Sequence, residues 1–297
     1  MRLLALPTSN DALDLADWLE IRALLADDGN ASRGDLESAL RAAPSFAGKG
    51  AEAVEATLAD VFAELSMRAT ASVNGYPFEI REGSVAALRR RAWTTRSAYL
   101  VCLCMTVLGD KAVLAPNVYP TRFFEDLAVD AAKAYVGGEG FRFGHPRRGE
   151  MPVGFKRAVE EFVRLVGEGE SPRSGLTQSA KDGGLDVVAW KAHPDGYAGK
   201  IVLFGACATG GDWKAKRQEL SIHDWQSSAL AKNLAVDPVR AFFVPRRLPG
   251  EWYRHLTKAG IVFDRCRISH WAPRAPNGVH GDPVRWAQAQ LKALPKA

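Results

Sequence analysis

Asp186 stands at the head of an apolar strand, directly after Gly183-Gly184-Leu185, and a second strand returns through Lys200-Ile201-Val202-Leu203-Phe204-Gly205. A carboxylate so placed can serve chemistry on phosphate esters. Hydrolysing a phosphodiester at neutral pH calls for a divalent cation, which lowers the pKa of a bound water and offsets charge on the phosphate. Mg²⁺ is held by one or two carboxylates plus waters and substrate oxygens. A nearby lysine can orient the nucleophile or neutralise developing charge. An aspartate at the start of one strand and an acid or amide late on the next meets this need, because adjacent strands lie about 4.8 Å apart. The chain supplies the aspartate but then reads Ala206-Cys207-Ala208 where a second ligand and a lysine should follow. An ordinary hairpin with a turn aspartate accounts for the same residues.

The elements that must position Asp186 are legible on either side of it. Upstream, the spacing of Phe123, Leu127 and Ala131, and of Phe124, Ala128 and Tyr135, predicts a helix from Thr121 that stops at Gly137-Gly138. A second helix carries Phe155, Val159, Phe162, Val163 and Val166 on one face. Strands are expected over 185–190 and 200–204, joined through the turn residues Pro194-Asp195-Gly196. The segment 212–235 reads as mostly helical. "VRAFFVP" reads as a strand, "GEWYRHLTKAG" as a helix and "IVFDRCRIS" as a strand, with a short terminal helix in "PVRWAQAQLKAL". That order predicts an α/β unit with a small mixed sheet. Residues 1–115 read as a mainly helical domain: Ser32 caps one helix, and Val54, Leu58, Val61, Phe62 and Leu65 make an apolar stripe on the next. Phe78 to Ile80 form a short strand or an extended loop, and 98–108 is a helix apolar on every face. The second domain is expected over 116–297.

Phe124-Glu125 on the first of these helices, Gly183-Gly184-Leu185-Asp186 at the strand start, and the α/β order that follows resemble the restriction-endonuclease-like, or PD-(D/E)XK, superfamily. The nearest type is the methyl-directed type IV restriction endonuclease domain. The resemblance covers roughly Thr121 to Ser269. It implies a restriction-endonuclease-like core, a nuclease activity dependent on Mg²⁺ or Mn²⁺, double-stranded DNA as the substrate, and a setting in restriction or antiphage defence. Glu125 and Asp186 would be the metal ligands. The third element, Glu/Gln-x-Lys, falls at Ala206-Cys207-Ala208, twenty residues after Asp186. Ala206 cannot bind a metal and Ala208 cannot replace the lysine. The lysine can migrate to a neighbouring element in this superfamily, which points to Lys214 and Lys216, with Lys216 preferred. "GQCATG" is what an active relative is expected to carry, so Ala206 marks either a natural pseudo-enzyme or an inactivating substitution. The other reading is a catalytically silent nucleic-acid-binding or assembly subunit. By strand alternation, residues 202, 204, 206 and 208 share one face, and the nuclease reading expects Ala206 and Ala208 to point into the cleft of Asp186, with Glu125 approaching from its helix; Asp186 and Ala206 on opposite sides of the sheet would count against it and for the ordinary hairpin.

Composition bounds these readings. The chain has 297 residues, 47% hydrophobic and 25% charged, which is ordinary for a globular protein with a sizeable core. The net charge of +5 and pI near 9.0 permit a nucleic-acid partner without requiring one. Basic clusters occur at Arg89-Arg90-Arg91, Arg147-Arg148, Lys214-Ala215-Lys216-Arg217 and Arg246-Arg247. The most apolar stretch, 97–109, is too short to span a bilayer, and the N-terminus makes a poor signal peptide; no membrane association is expected. Cys102, Cys104, Cys207 and Cys266 lack zinc-site spacing and fit reduced thiols in a cytoplasmic protein. The six histidines, His145, His193, His223, His255, His270 and His280, form neither HxH nor HExxH, and no phosphate-binding glycine loop is present. Zinc hydrolases, NTPases and dinucleotide enzymes are therefore disfavoured. An unregulated nuclease harms its host, so a regulatory protein partner or a homo-oligomer is expected, though no residue identifies one.

Overall fold

The computed structural model describes residues 4–81, 85–88, 92–110, 119–147, 151–177, 182–255, 259–272 and 281–294. Arg89-Arg90-Arg91, Arg148, His280 and the expected boundary between residues 115 and 116 lie outside the described residues.

The molecule is α/β, built on a five-stranded mixed sheet. Its strands are β4 (Glu139–Arg142), β5 (Val187–Lys191), β6 (Ile201–Cys207), β7 (Val239–Phe243) and β8 (Ile261–Phe263), in the spatial order β4-β5-β6-β7-β8. Neighbours run antiparallel from β4 to β6 and parallel from β6 to β8. β6 is central and apolar on both faces, as a strand covered on each side must be.

Helix α6 (Pro120–Val136) covers one face through Phe124, Leu127, Ala128 and Ala131, and ends at Gly137, whose φ of 66° suits a left-handed cap. Helix α7 (Phe155–Val166) covers the other through Phe155, Val159, Phe162 and Val166. The β6–β7 connection holds α8 (Trp213–Lys216) and α9 (Ile222–Ala229); α9 packs Trp225 against Phe162 and Phe204. Helix α10 (Gly250–His255) joins β7 to β8.

The N-terminal segment holds α1 (Ala12–Leu25), α2 (Arg33–Ala42), α3 (Ala51–Ser72), α4 (Ala92–Thr95) and α5 (Ser97–Leu108). Ser32 and Asp35 cap α2 reciprocally. The segment is not purely helical. β1 (Asn30–Ser32), β3 (Val85–Leu88) and β2 (Phe78–Arg81) form a small antiparallel sheet in that order.

Two sheets do not make two cores. One apolar cluster runs from Leu15, Leu58 and Leu100 through Phe124 to Val187, Leu203, Phe243 and Phe263 on the α6 face of the large sheet. A second cluster, on the α7 and α9 face, holds Val188, Phe204, Ala206, Phe242 and Val262.

β4 was not anticipated. The segment 212–235, read as mostly helical, holds the two short helices α8 and α9. The strand expected in "IVFDRCRIS" ends at Phe263, where Asp264 accepts a hydrogen bond from the Arg267 N–H and starts α11 (Arg265–Trp271). The terminal helix α12 spans Asp282–Ala293. Among the described residues no helix is long and apolar enough to cross a membrane, and all four cysteines are free thiols.

Candidate functional site

The site is assembled at one end of the β5–β6 hairpin. Gly183 and Gly184, at φ of 66° and 80°, carry the turn that leads into β5. The Asp182 carboxylate accepts hydrogen bonds from Gly184 N–H at 3.0 Å and His145 N–H at 2.8 Å, which ties this turn to the segment after β4. Asp186 donates its N–H to Gly205 at 2.9 Å, while Val187 is itself the register partner of Gly205. Asp186, just ahead of β5, and Val187 thus both oppose Gly205 of β6, the arrangement of a β-bulge, which re-aims the side chain it carries. The Asp186 Oδ2 then accepts the Cys207 N–H at 2.7 Å.

Glu125 reaches the same place from α6. A Cβ placed on Gly144 would lie 2.8 Å from Asp186 Oδ1 and 2.9 Å from Glu125 Oε2. Both oxygens therefore lie against the same glycine, and a side chain at 144 would have to push the two carboxylates aside. The Glu125 side chain is 12% exposed and accepts from Arg142 Nη1 at 3.1 Å, while Arg142 Nε pairs with Asp126 at 3.2 Å.

Proximity and burial set the protonation. Desolvation lifts the Glu125 carboxyl to about 7 against the pull of Arg142. The Asp186 carboxyl is pushed well above the carboxylate range by desolvation and then by the charge of Glu125; the Cys207 N–H and the positive charge of Lys216 pull the other way. The Cys207 thiol is raised by burial and then by Asp186 and Glu125.

The predicted residues divide. Glu125 and Asp186 are brought together. Lys216, on α8, is 39% exposed, stands 4.0 Å from Asp212, and acts on Asp186 through its charge. Lys214 lies elsewhere, with its ammonium 4.9 Å above the Trp252 ring.

Ala206 requires a correction. Val202, Phe204, Ala206 and Ala208 do share a face, but it is the apolar second cluster, and Ala206 is 8% exposed there. The bulge breaks the alternation at Asp186, whose carboxylate sits beside Glu125. Cys207, packed against the first cluster, is the β6 residue that meets it.

Among the basic clusters, Arg247 is turned inward onto Asp264 and Glu64, and Arg147 is buried. Sequence reasoning singled out none of Arg142, Gly144 and Asp182. The Asp-Gly-Gly spacing of 182–184 signals a turn, but none of these three announces its long-range partners.

A cavity of about 560 Å³ opens between α6, β4 and α7, bordered by Arg122, Asp126, Phe141 and Arg142, and it adjoins the acid pair through Arg142. Among the described residues no group of three or more His, Cys, Asp or Glu side chains is arranged to hold a metal ion. The two carboxylates nonetheless suit a cation that takes one or two protein ligands and fills its shell with water and substrate oxygens. Like charges held this close are also what a divalent ion relieves. No protein-family model, curated protein or solved structure matches the chain.

Proposed function

We propose that the chain is a metal-dependent nuclease with a restriction-endonuclease-like core, acting on double-stranded DNA in restriction or antiphage defence. The observation that carries the reading is the convergence of Glu125 and Asp186 on Gly144 at the end of the β5–β6 hairpin, with both carboxyls raised. Glu125 and Asp186 would hold Mg²⁺ or Mn²⁺. Bound there, the cation supplies a water of lowered pKa and offsets charge on the scissile phosphate.

The chain's own groups do the rest. The Cys207 N–H fixes the Asp186 carboxylate, and Asp182 fastens the β4 segment to the Gly183-Gly184 turn. Lys216 supplies a positive charge that acts on Asp186 and would help offset charge gathering on a phosphate. Arg142 holds Glu125 in place and partly neutralises it.

The second reading, a catalytically silent nucleic-acid-binding or assembly subunit, is favoured by one observation. Ala206 and Ala208 offer no polar atom, and their face of β6 is filled by apolar side chains.

Plasmid cleavage in Mg²⁺ or Mn²⁺ decides between the two. The chain is compared with the same protein carrying Asp186→Asn. Cleavage that vanishes with Asp186→Asn supports the nuclease. Cleavage indifferent to Asp186 defeats the assignment, and salt-sensitive DNA binding with no cleavage in any metal supports the silent subunit.

A further inference from the structure

The segment Phe143 to Arg147 runs along the acid pair. Phe143 and Gly144 donate their N–H groups to the Asp186 carbonyl at 2.7 and 3.2 Å, Gly144 abuts both carboxylates, and His145 N–H binds Asp182. Arg147 closes the segment and is 1% exposed. Its guanidinium lies 4.7 Å from the Phe143 ring centre and 5.1 Å from that of Phe155. Rings of this kind satisfy the charge and the faces of a guanidinium, but its five N–H bonds point outward in its plane. Nη1 donates to the Val153 carbonyl at 3.3 Å. Nε and Nη2 are buried and have no hydrogen-bond partner among the described residues.

Those two nitrogens form one edge of the guanidinium, the fork that grips two oxygens of a single oxyanion. Asp182 contributes charge to Arg147, but its carboxylate is engaged by Gly184 and His145. Burying a charged group with open donors is costly, and such a group in a folded chain calls for an explanation.

We propose that Arg147 is the anchor of an oxyanion site on the α7 side of the Phe143–Arg147 segment, which takes a phosphate group of the substrate. This deepens the nuclease reading and rests on it for the phosphate being one of a nucleic-acid strand. The existence of the site rests only on the orphaned fork. Because the fork is covered, the proposal requires its cover to move when the anion binds.

The test uses the full chain without divalent metal. Inorganic phosphate is titrated while the Arg147 side-chain Nε–H signal and the thermal midpoint are followed. The expected result is a shift of that signal and a midpoint that climbs with phosphate concentration, as binding to the folded state requires. Arg147→Met abolishes the climb, and Arg147→Lys, which keeps the charge but loses the fork, weakens phosphate binding roughly tenfold or more. An unmoved Nε–H signal, or equal phosphate responses in wild type and both variants, overturns the site. The signal is read on the unaltered chain, so a variant that fails to fold does not spoil the test.

A short oligonucleotide in place of phosphate separates the two sources. Competition between them assigns the fork to a strand phosphate, and independent binding removes that assignment. Asp186→Asn distinguishes the two proposals. Phosphate binding with no cleavage by any variant leaves the site standing and sinks the nuclease. Cleavage that depends on Asp186 with no phosphate response does the reverse.

Discussion

Replacing Glu125 by Gln should make this protein more stable at neutral pH and remove its response to divalent metal. Desolvation raises the Glu125 carboxyl from its ordinary 4.5 to about 7. The native chain therefore prefers the protonated form. The stability contributed by that preference is fully present below 4.5 and is lost as pH rises through about 7. A rise of about 2.5 pH units, at about 1.4 kcal/mol each, makes the ionised carboxylate a burden of about 3 kcal/mol at pH 8. Glutamine copies the protonated form and retains an oxygen for Arg142. It also lifts the repulsion from Asp186, whose own carboxyl is raised partly by Glu125. Thermal unfolding from pH 4 to 8.5 is the assay. Glu125→Gln should match wild type near pH 4 and exceed it by roughly 5 °C near pH 8. Mg²⁺ should raise the wild-type midpoint at pH 8 and leave the variant unmoved. Two curves offset by a constant amount at every pH, or a variant less stable than wild type at pH 8, would refute the argument that burial and like charge strain this site.

Other outcomes follow from the same geometry. Gly144→Ala places a methyl against both carboxylates and should lower stability by about 1–3 kcal/mol; urea unfolding reads it, and a neutral result means the acids are not held together. Cys207, whose thiol is raised by burial and by Asp186 and Glu125, should alkylate slowly with iodoacetamide at pH 7.5. The rate should rise roughly 2–5-fold in Glu125→Gln, and an unchanged rate would detach the thiol from the acid pair. Asp17→Asn removes the carboxylate shared by Arg68 and Arg265 and should cost about 3–5 kcal/mol; a loss under 1 kcal/mol in denaturant titration would show that network to be dispensable.

Much of the frame was legible in the sequence because amphipathic periodicity writes it directly. The stripes of α6 and α7 and the apolar runs of β5 and β6 fell where spacing put them. β4 did not, since Glu-Gly-Phe-Arg after two glycines has no strand signature, and it is a strand only because β5 offers it a partner. α11 was hidden for a related reason: Ile261, Val262 and Phe263 run into Arg265 without a break, and only the capping hydrogen bond of Asp264 marks the change. Within the site, Glu125 and Asp186 were paired only through the resemblance that their motifs carry. The direction of residue 206 was not legible. Alternation holds along β6 and on to Ala208, but the extra residue opposite Gly205 is Asp186, just ahead of β5, and the bulge that turns it toward Glu125 is a property of the pairing.

A network of buried charge carries a consequence for the site, because it links residues on both sides of the change of grammar near residue 115. Arg68 of α3 binds Asp17 and Glu20 of α1 at 2.6 and 2.9 Å, and Asp17 also binds Arg265 of α11. Tyr76 and the α5 residue Tyr99 donate to Glu20 at 2.7 and 2.8 Å. Arg247 completes the set by bridging Glu64 of α3 to Asp264. Charges placed so deep are not a cheap source of stability, since desolvation offsets much of their attraction. What they impose is geometry, because each partner left alone would be a buried, unpaired ion. The α6 helix that carries Glu125 is packed between this N-terminal body and the large sheet, within the cluster that spans both. The distance from Glu125 to Asp186 is therefore set from two sides, by the bulge in β5 and by helices far from it in sequence.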